Sequence, residues 1–268
     1  PDQTTLGEAY ELSAGLKLTK MTDPNVADYV RRCTPVPQGV VTADAASVIF
    51  EEGGVRWRLP RSPSAGHDAL LARSALRKAR EVCTERDLLN AHGTFYELPA
   101  ANASGFARIR PIATHNRRIH DYASWRGMLV MTGLETGTSK VDPRVVRSDD
   151  GRAAVWLGSV DELWGLGKPV GVGGPWKDTA VAAGEASDPY LMTAYDRKTL
   201  ELSHRSDRPV RIRVEIDLAG TGSWSRYDEF EVPPGRTVTH AFPDGFQAYW
   251  LRTSADSATT ATAWLRYE

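Results

Sequence analysis

Apolar and charged residues alternate without a break over 209–217, PVRIRVEID, and a side-chain period of two predicts a strand buried on one face. Shorter runs of the same kind follow, RYDEFEV (226–232), RTVTHAF (236–242), FQAYWLRT (246–253) and TTATAWLRYE (259–268), set apart by AGTGS, PPG and PDG. PYLMTAY (189–195) and TLELSH (199–204) precede them. Short strands at even spacing, punctuated by Gly and Pro, predict an antiparallel β-sandwich over 187–268.

The upstream pattern is also β, with longer turns. ASVIFEEGGVRWRLP (46–60) reads as a hairpin closed at Glu52-Gly53-Gly54, and VVRSDDGRAAVWLG (145–158) as another closed at Asp149-Asp150-Gly151. Between them lie REVCTER (80–86), GTFYELP (93–99), FARIRPIAT (106–114), RIHDYAS (118–124) and GMLVMTG (127–133). Consecutive short strands make a meander, the unit of a propeller blade. Helical composition is confined to 67–79 and a turn or two at 160–166. The fold expected is therefore all-β, with a propeller-like or meander region over 1–186 followed by the sandwich. Because that region has too few strands to close a propeller, a second chain or an oligomer partner is expected at its open edge; the alternative is that residues 1–186 close on themselves as a smaller barrel or sandwich.

Composition narrows the function classes. At 41% hydrophobic residues a core is assured, and 33 Lys+Arg against 34 Asp+Glu leave no basic footprint for nucleic acid. No apolar run reaches the ~18 to 20 residues of a membrane span, so no membrane insertion is expected. The start at Pro1, without a Met, points to a processed or trimmed chain. Cys33 and Cys83 are too far apart for a CxxC motif and read as one disulfide or two buried free thiols. Eight Trp suit either a Trp-rich core or a sugar-binding surface.

The candidate chemistry centres on IATHNRRIHDYASWRG (112–127). A two-residue loop at Asn116-Arg117 would set His115 opposite Arg118, Ala113 opposite His120 and Pro111 opposite Tyr122, so that His115, Arg118, His120 and Tyr122 share one face. Histidine transfers protons near neutral pH, and arginine holds carboxylates or hydroxyls. His92, beside a glycine in NAHGTFYELP, joins them as a further catalytic candidate, with Glu97 and Asp121 as the carboxylates a hydrolase would need. Trp125, Arg126 and Trp176 are the remaining substrate-binding candidates, Trp176 as an exposed rim residue in GVGGPWKD (171–178) or as part of a packed linker. The alternative for the whole cluster is hydrogen bonding within the meander. His92, His115 and His120 match no zinc spacing, and the glycines of 171–178 do not lie between a strand and a helix, so neither metal nor nucleotide cofactor is expected.

The stretches DLLNAHGTFYELPAANASGFARIRPIATHNRRIHDYASWRGMLVMTG (87–133), RSDDGRAAVWLGSVDELWGLGKPVGVGGPWKD (147–178) and SDPYLMTAYDRKTLELSH (187–204) resemble a group of uncharacterised bacterial secreted proteins. These look propeller-containing and linked to polysaccharide degradation. The resemblance implies a secreted or periplasmic setting and a glycan or oligosaccharide partner, and it assigns no residue a role. Two functions are expected from these features. One is an exported glycan hydrolase or polysaccharide lyase using the His/Tyr/Arg cleft; the other is a non-catalytic glycan-binding or assembly protein.

Overall fold

The computed structural model describes residues 8–33, 39–64, 66–71, 76–83, 86–115, 117–134 and 142–268. The chain is all-β, as its periodicity requires. In the strand Val210–Asp217, Val210, Ile212, Val214 and Ile216 are buried, whereas Arg211 and Arg213 are exposed. This strand sits between Trp224–Val232 and Trp250–Ala255, with Val214 opposite Asp228 on one side and Thr253 on the other.

Two sheets enclose the larger core. One has seven strands, in the order Trp224–Val232, Val210–Asp217, Trp250–Ala255, Tyr190–Leu191, Val55–Leu59, Val48–Glu52 and Thr42–Ala43. The other has four, in the order Gly171–Val181, Thr259–Tyr267, Lys198–His204 and Val238–Ala241. Their alternating inward residues form one cluster, in which Leu200, Leu202, Ala263 and Leu265 join Val48, Leu59, Ile212, Val214 and Leu251. Tyr195 stacks on Tyr267 within it, ring centroids 4.3 Å apart.

Hydrogen bonding crosses the expected boundary near residue 187. The strands of 42–59 belong to the same sheet as the C-terminal ones, because Tyr190 pairs in parallel with Arg58. Arg58 itself is buried and held by Asp44 at 2.7 Å and Asp188 at 2.8 Å. The hairpin of 46–60 forms as its sequence predicts, with Gly53 and Gly54 both in the left-handed region (φ +58° and +80°) between Glu52 and Val55.

The intervening region is a pair of four-stranded sheets. Ala79–Cys83, Arg86–Ala91, Thr94–Leu98 and Arg110–Thr114 form a meander, and Tyr122–Trp125, Met128–Thr132, Ala154–Gly158 and Val145–Arg147 form the second sheet. Leu88, Phe95 and Ile112 of the first meet Tyr122, Leu129, Met131 and Trp156 of the second. Blade-like meanders do occur, but the sheets are not closed into a propeller: each covers the apolar face of the other.

This arrangement corrects the expected hairpin at Asn116-Arg117. Asn116 lies outside the described residues. Among the described residues Arg110–Thr114 pairs only with Thr94–Leu98, and Tyr122–Trp125 pairs with Met128–Thr132, so the two strands belong to different sheets. Strands on different sheets do not share a face, and the parity that grouped His115, Arg118, His120 and Tyr122 is lost. Helix occurs at Pro24–Cys33, which the sequence reading missed, at Gly66–Leu71, and as a 3-10 segment at Val160–Leu166. Cys33 and Cys83 are free and exposed, so neither expected pairing nor expected burial is found. No helix among the described residues is long and apolar enough to cross a membrane.

Candidate functional site

His92 and Gly93 are the two central residues of the turn joining Ala91 to Thr94, with φ +48° and +79°. Both positive values make a tight hairpin turn of the kind whose twist matches its strands, and histidine is among the few side chains that accept the first position. The turn sends the His92 ring toward residues 62–68. Its Nδ1 accepts the Ser62 amide at 2.9 Å, so Nε2 carries the proton and donates to Asp68 Oδ1 at 2.7 Å. Asp68 is also held by Arg61.

His67, which the sequence reading placed only in a helical stretch, completes the cluster. Its ring lies against Gly93, where an added Cβ would fall 2.6 Å from Nε2. Ring centroids of His67 stand 5.9 Å from His92 and 6.1 Å from His115. The Nδ1 of His115 accepts the Arg117 amide at 3.2 Å, and its Nε2 donates to Asn90 Oδ1 at 3.2 Å. Burial pushes all three imidazoles below the usual histidine value, His115 to about 3. His92 and His115 are thus neutral rings with both nitrogens engaged, which leaves neither a lone pair for a proton or a metal. Among the described residues no group of His, Cys, Asp and Glu is arranged to hold a metal ion. The cavity at the cluster, lined also by Lys78, Asn90 and Arg117, measures about 20 Å³, room for about one water.

The other predicted residues lie elsewhere. His120 packs on Gly133, where an added Cβ would fall 2.4 Å from its Cγ. The Tyr122 hydroxyl is buried and directed at the carbonyls of Leu88 (2.7 Å) and Lys78 (2.9 Å), and burial raises it far above the usual tyrosine value. Asp121 is clamped between Arg77 (3.3 Å) and Arg80 (3.1 Å) and caps the Tyr122 amide. Arg118 is half-buried. Arg126 lies over the Trp125 ring at 5.1 Å, at the turn between Tyr122–Trp125 and Met128–Thr132. Trp176 is not a rim residue: it is buried in the larger core opposite Ala263, because its strand is the edge of the four-stranded sheet and turns this side chain inward.

Glu97 opens onto a different feature, a groove of about 360 Å³ lined by Arg86, Glu97, Asn102, Arg108, Arg110 and Tyr249 with the apolar residues of 98–103. That volume is within the range of small-molecule sites. Its wall is the connection from Thr94–Leu98 to Arg110–Thr114, which runs through 3-10 turns at Ala101–Ala103 and Gly105–Arg108. Phe106 anchors this connection by lying flat on Phe50, centroids 4.0 Å apart and planes at 6°. Trp250 donates its indole N–H to the Ala107 carbonyl at 2.7 Å, while Gly220 leaves room for that carbonyl, which an added Cβ would approach to 2.5 Å. With Phe106 and Ile109 buried, Arg108 and Arg110 are turned outward. Arg110 stands opposite Glu97 in the strand register and reaches its Oε2 at 2.6 and 2.7 Å. Arg86 lies 3.8 Å from the same carboxylate.

Of this lining the sequence reading identified Glu97 alone. The alternation in FARIRPI carried a signal for the shared direction of Arg108 and Arg110. Nothing in the sequence joined them to Tyr249, which arrives from the C-terminal sheet. No protein family and no curated protein matches this chain. A crystal structure of PirA is similar over 37% of this chain and 84% of its own, at 12% identity and a TM-score of 0.21, a likeness too slight to indicate a shared fold.

Proposed function

We propose that the chain is a non-catalytic saccharide-binding protein and that the groove beside Glu97 receives the sugar. The observation that carries this reading is the lining: a half-buried Tyr249 ring beside guanidinium, amide and carboxylate groups, the combination of apolar face and hydrogen-bonding edge that a sugar ring presents in return. A secreted or periplasmic setting belongs to the same proposal and rests on the resemblance noted above.

Binding is favoured over hydrolysis because a glycosidase places two carboxyl groups about 5 to 9.5 Å apart across the scissile bond. Glu97 is the one carboxylate lining the groove, and Asp121 is held elsewhere by two arginines. A lyase using the expected Tyr122, His92 or His115 would need one of them able to take a proton. Tyr122 is buried with its hydroxyl on backbone carbonyls, and His92 and His115 have no free nitrogen.

Calorimetric titration with an oligosaccharide panel tests the proposal. The wild type should bind a saccharide while releasing neither new reducing ends nor an ultraviolet-absorbing unsaturated product. Tyr249→Ala should weaken binding by about threefold to tenfold, the worth of one aromatic contact. Turnover of any glycan, or retention of full affinity in Tyr249→Ala, overturns it.

A further inference from the structure

We infer that the saccharide this groove takes is anionic, its carboxylate or sulfate group held by Arg108. The inference rests on the binding reading above and adds the ligand's charge. Three guanidinium groups, Arg86, Arg108 and Arg110, face a single carboxylate, Glu97, so the lining carries an excess of two positive charges on a chain whose formal charge is -1. The excess is local, not a reflection of overall composition.

Hydrogen-bonding capacity points the same way. A neutral sugar offers hydroxyls that both donate and accept, and sites for it mix acceptors with donors. Here the one charged acceptor is already engaged, since Glu97 receives Arg110 at 2.6 Å and has Arg86 at 3.8 Å, which leaves only the neutral side-chain oxygens of Asn102 and Tyr249 against three guanidinium groups. Arg86 is shared further with Asp161, 3.5 Å away on an 81% exposed side chain. Arg108 is exposed and has no carboxylate within ion-pair distance among the described residues. Its planar array of donors therefore stands open at the groove. A surface rich in unmatched donors selects a ligand rich in acceptors, and a guanidinium matches carboxylate and sulfate oxygens in pairs.

Arg108 is also placed for this by its neighbours. Phe106 and Ile109 are buried on either side of it, and the Ala107 carbonyl is fixed by Trp250, so the backbone that carries the guanidinium is held from three directions. Tyr249 is the residue next to that indole, which brings an apolar platform and the Arg108 guanidinium into one groove.

The test is a matched titration of the full chain at fixed ionic strength with oligogalacturonate, a sulfated galactan oligosaccharide and a neutral galactan oligosaccharide of equal length. The expected result is at least tenfold tighter binding of one anionic ligand over the neutral one, weakening as salt rises, with the uronate and sulfate arms identifying which anion is used. Arg108→Ala should lower the anionic affinity about tenfold and the neutral affinity by a much smaller factor, so that the anionic preference collapses, and Arg108→Lys should fall between. Arg236→Ala, an exposed cation on a separate surface groove beside Arg205, serves as the charge control and should change nothing. Equal affinity for neutral and anionic ligands overturns the inference while the binding reading stands. If no saccharide of either class binds, both fall. If Arg236→Ala weakens binding as much as Arg108→Ala, the effect is overall charge and the assignment to Arg108 is wrong.

Discussion

Asp68 Oδ1 lies 2.7 Å from His92 Nε2, and the opposite nitrogen of that ring accepts the Ser62 amide. The imidazole thereby ties the segment of 62–68 to the hairpin turn of 91–94. His92→Ala would leave a buried amide unsatisfied and set alanine at φ +48°, and should cost about 2 to 4 kcal/mol in urea unfolding. His92→Asn, which tolerates that backbone, should recover part of it. Equal losses for the two variants would mean that the turn geometry contributes nothing.

Stability should fall as the solution is acidified below about pH 6.5. Burial holds His67, His92 and His115 below the usual histidine value, so the unfolded chain takes up protons that the folded chain refuses. Above the unfolded value both states are neutral and the effect is level. Between there and the folded value, about 3 for His115, each imidazole removes up to about 1.4 kcal/mol per pH unit. A melting temperature followed from pH 8 to pH 4 should decline through this window, and His115→Asn should flatten the decline. A curve flat from pH 7 to pH 4 would rule out the buried neutral cluster.

Gly93→Ala should be more damaging than an average glycine replacement. The new methyl would fall 2.6 Å from the His67 ring at a residue with φ +79°. A loss of about 2 kcal/mol or more is expected. Gly151→Ala, with a comparable φ of +68° and nothing within 4 Å, gives the backbone penalty alone. Calorimetric melting of both variants measures the difference, and equal losses would show that His67 does not pack there.

Trp176 and Trp164 should behave oppositely. Trp176 is 5% exposed in the larger core and Trp164 is 50% exposed. Trp176→Ala should cost about 3 to 5 kcal/mol, whereas Trp164→Ala should stay within about 0.5 kcal/mol. Iodide quenching of the parent protein, compared with each Trp→Phe variant, checks which indole is accessible.

The anchor of the groove gives a further test. Phe106→Ala removes the ring stacked on Phe50 and should destabilise the chain by about 3 to 5 kcal/mol. Because that ring holds the wall carrying Arg108, saccharide affinity should fall as well at temperatures where the variant remains folded. Unchanged affinity in a folded variant would detach the anchor from the site.

What the sequence made legible was local. The strand Val210–Asp217 and the turn at Gly53-Gly54 follow from period-two alternation and paired glycines, which act over a few residues. The partners of those elements were not legible. Nothing in VRWRL announces that Arg58 will pair in parallel with Tyr190. The chain of 115–121 was misread because a polar pair between two β-like runs suits a hairpin and a crossing between sheets equally well. Trp176 does not follow the polar character of its neighbours Lys177 and Asp178, because its strand breaks register on both sides of it and buries four consecutive residues, Gly173 to Trp176, before exposing those two. His92 and His115 did come together, but with His67 and not with His120 or Tyr122, and engaged in hydrogen bonds rather than open to a substrate.

The pairing that seats Val48–Glu52 and Val55–Leu59 beside the C-terminal strands has a consequence for biosynthesis. The early hairpin leaves the ribosome long before Tyr190–Leu191 and Trp250–Ala255 exist to receive it. At about 5 to 20 residues per second, the interval between Leu59 and Tyr190, the edge partner of its strand, lasts on the order of 7 to 26 s. Throughout that time Val48 and Leu59, both fully buried in the finished protein, can meet Leu89, Tyr96 and Phe106 but not the Tyr190, Ile212 and Leu251 side of their core. The nascent chain therefore carries an unsatisfied β edge on Val55–Leu59 until Tyr190 emerges, an interval in which that edge must be shielded from other chains.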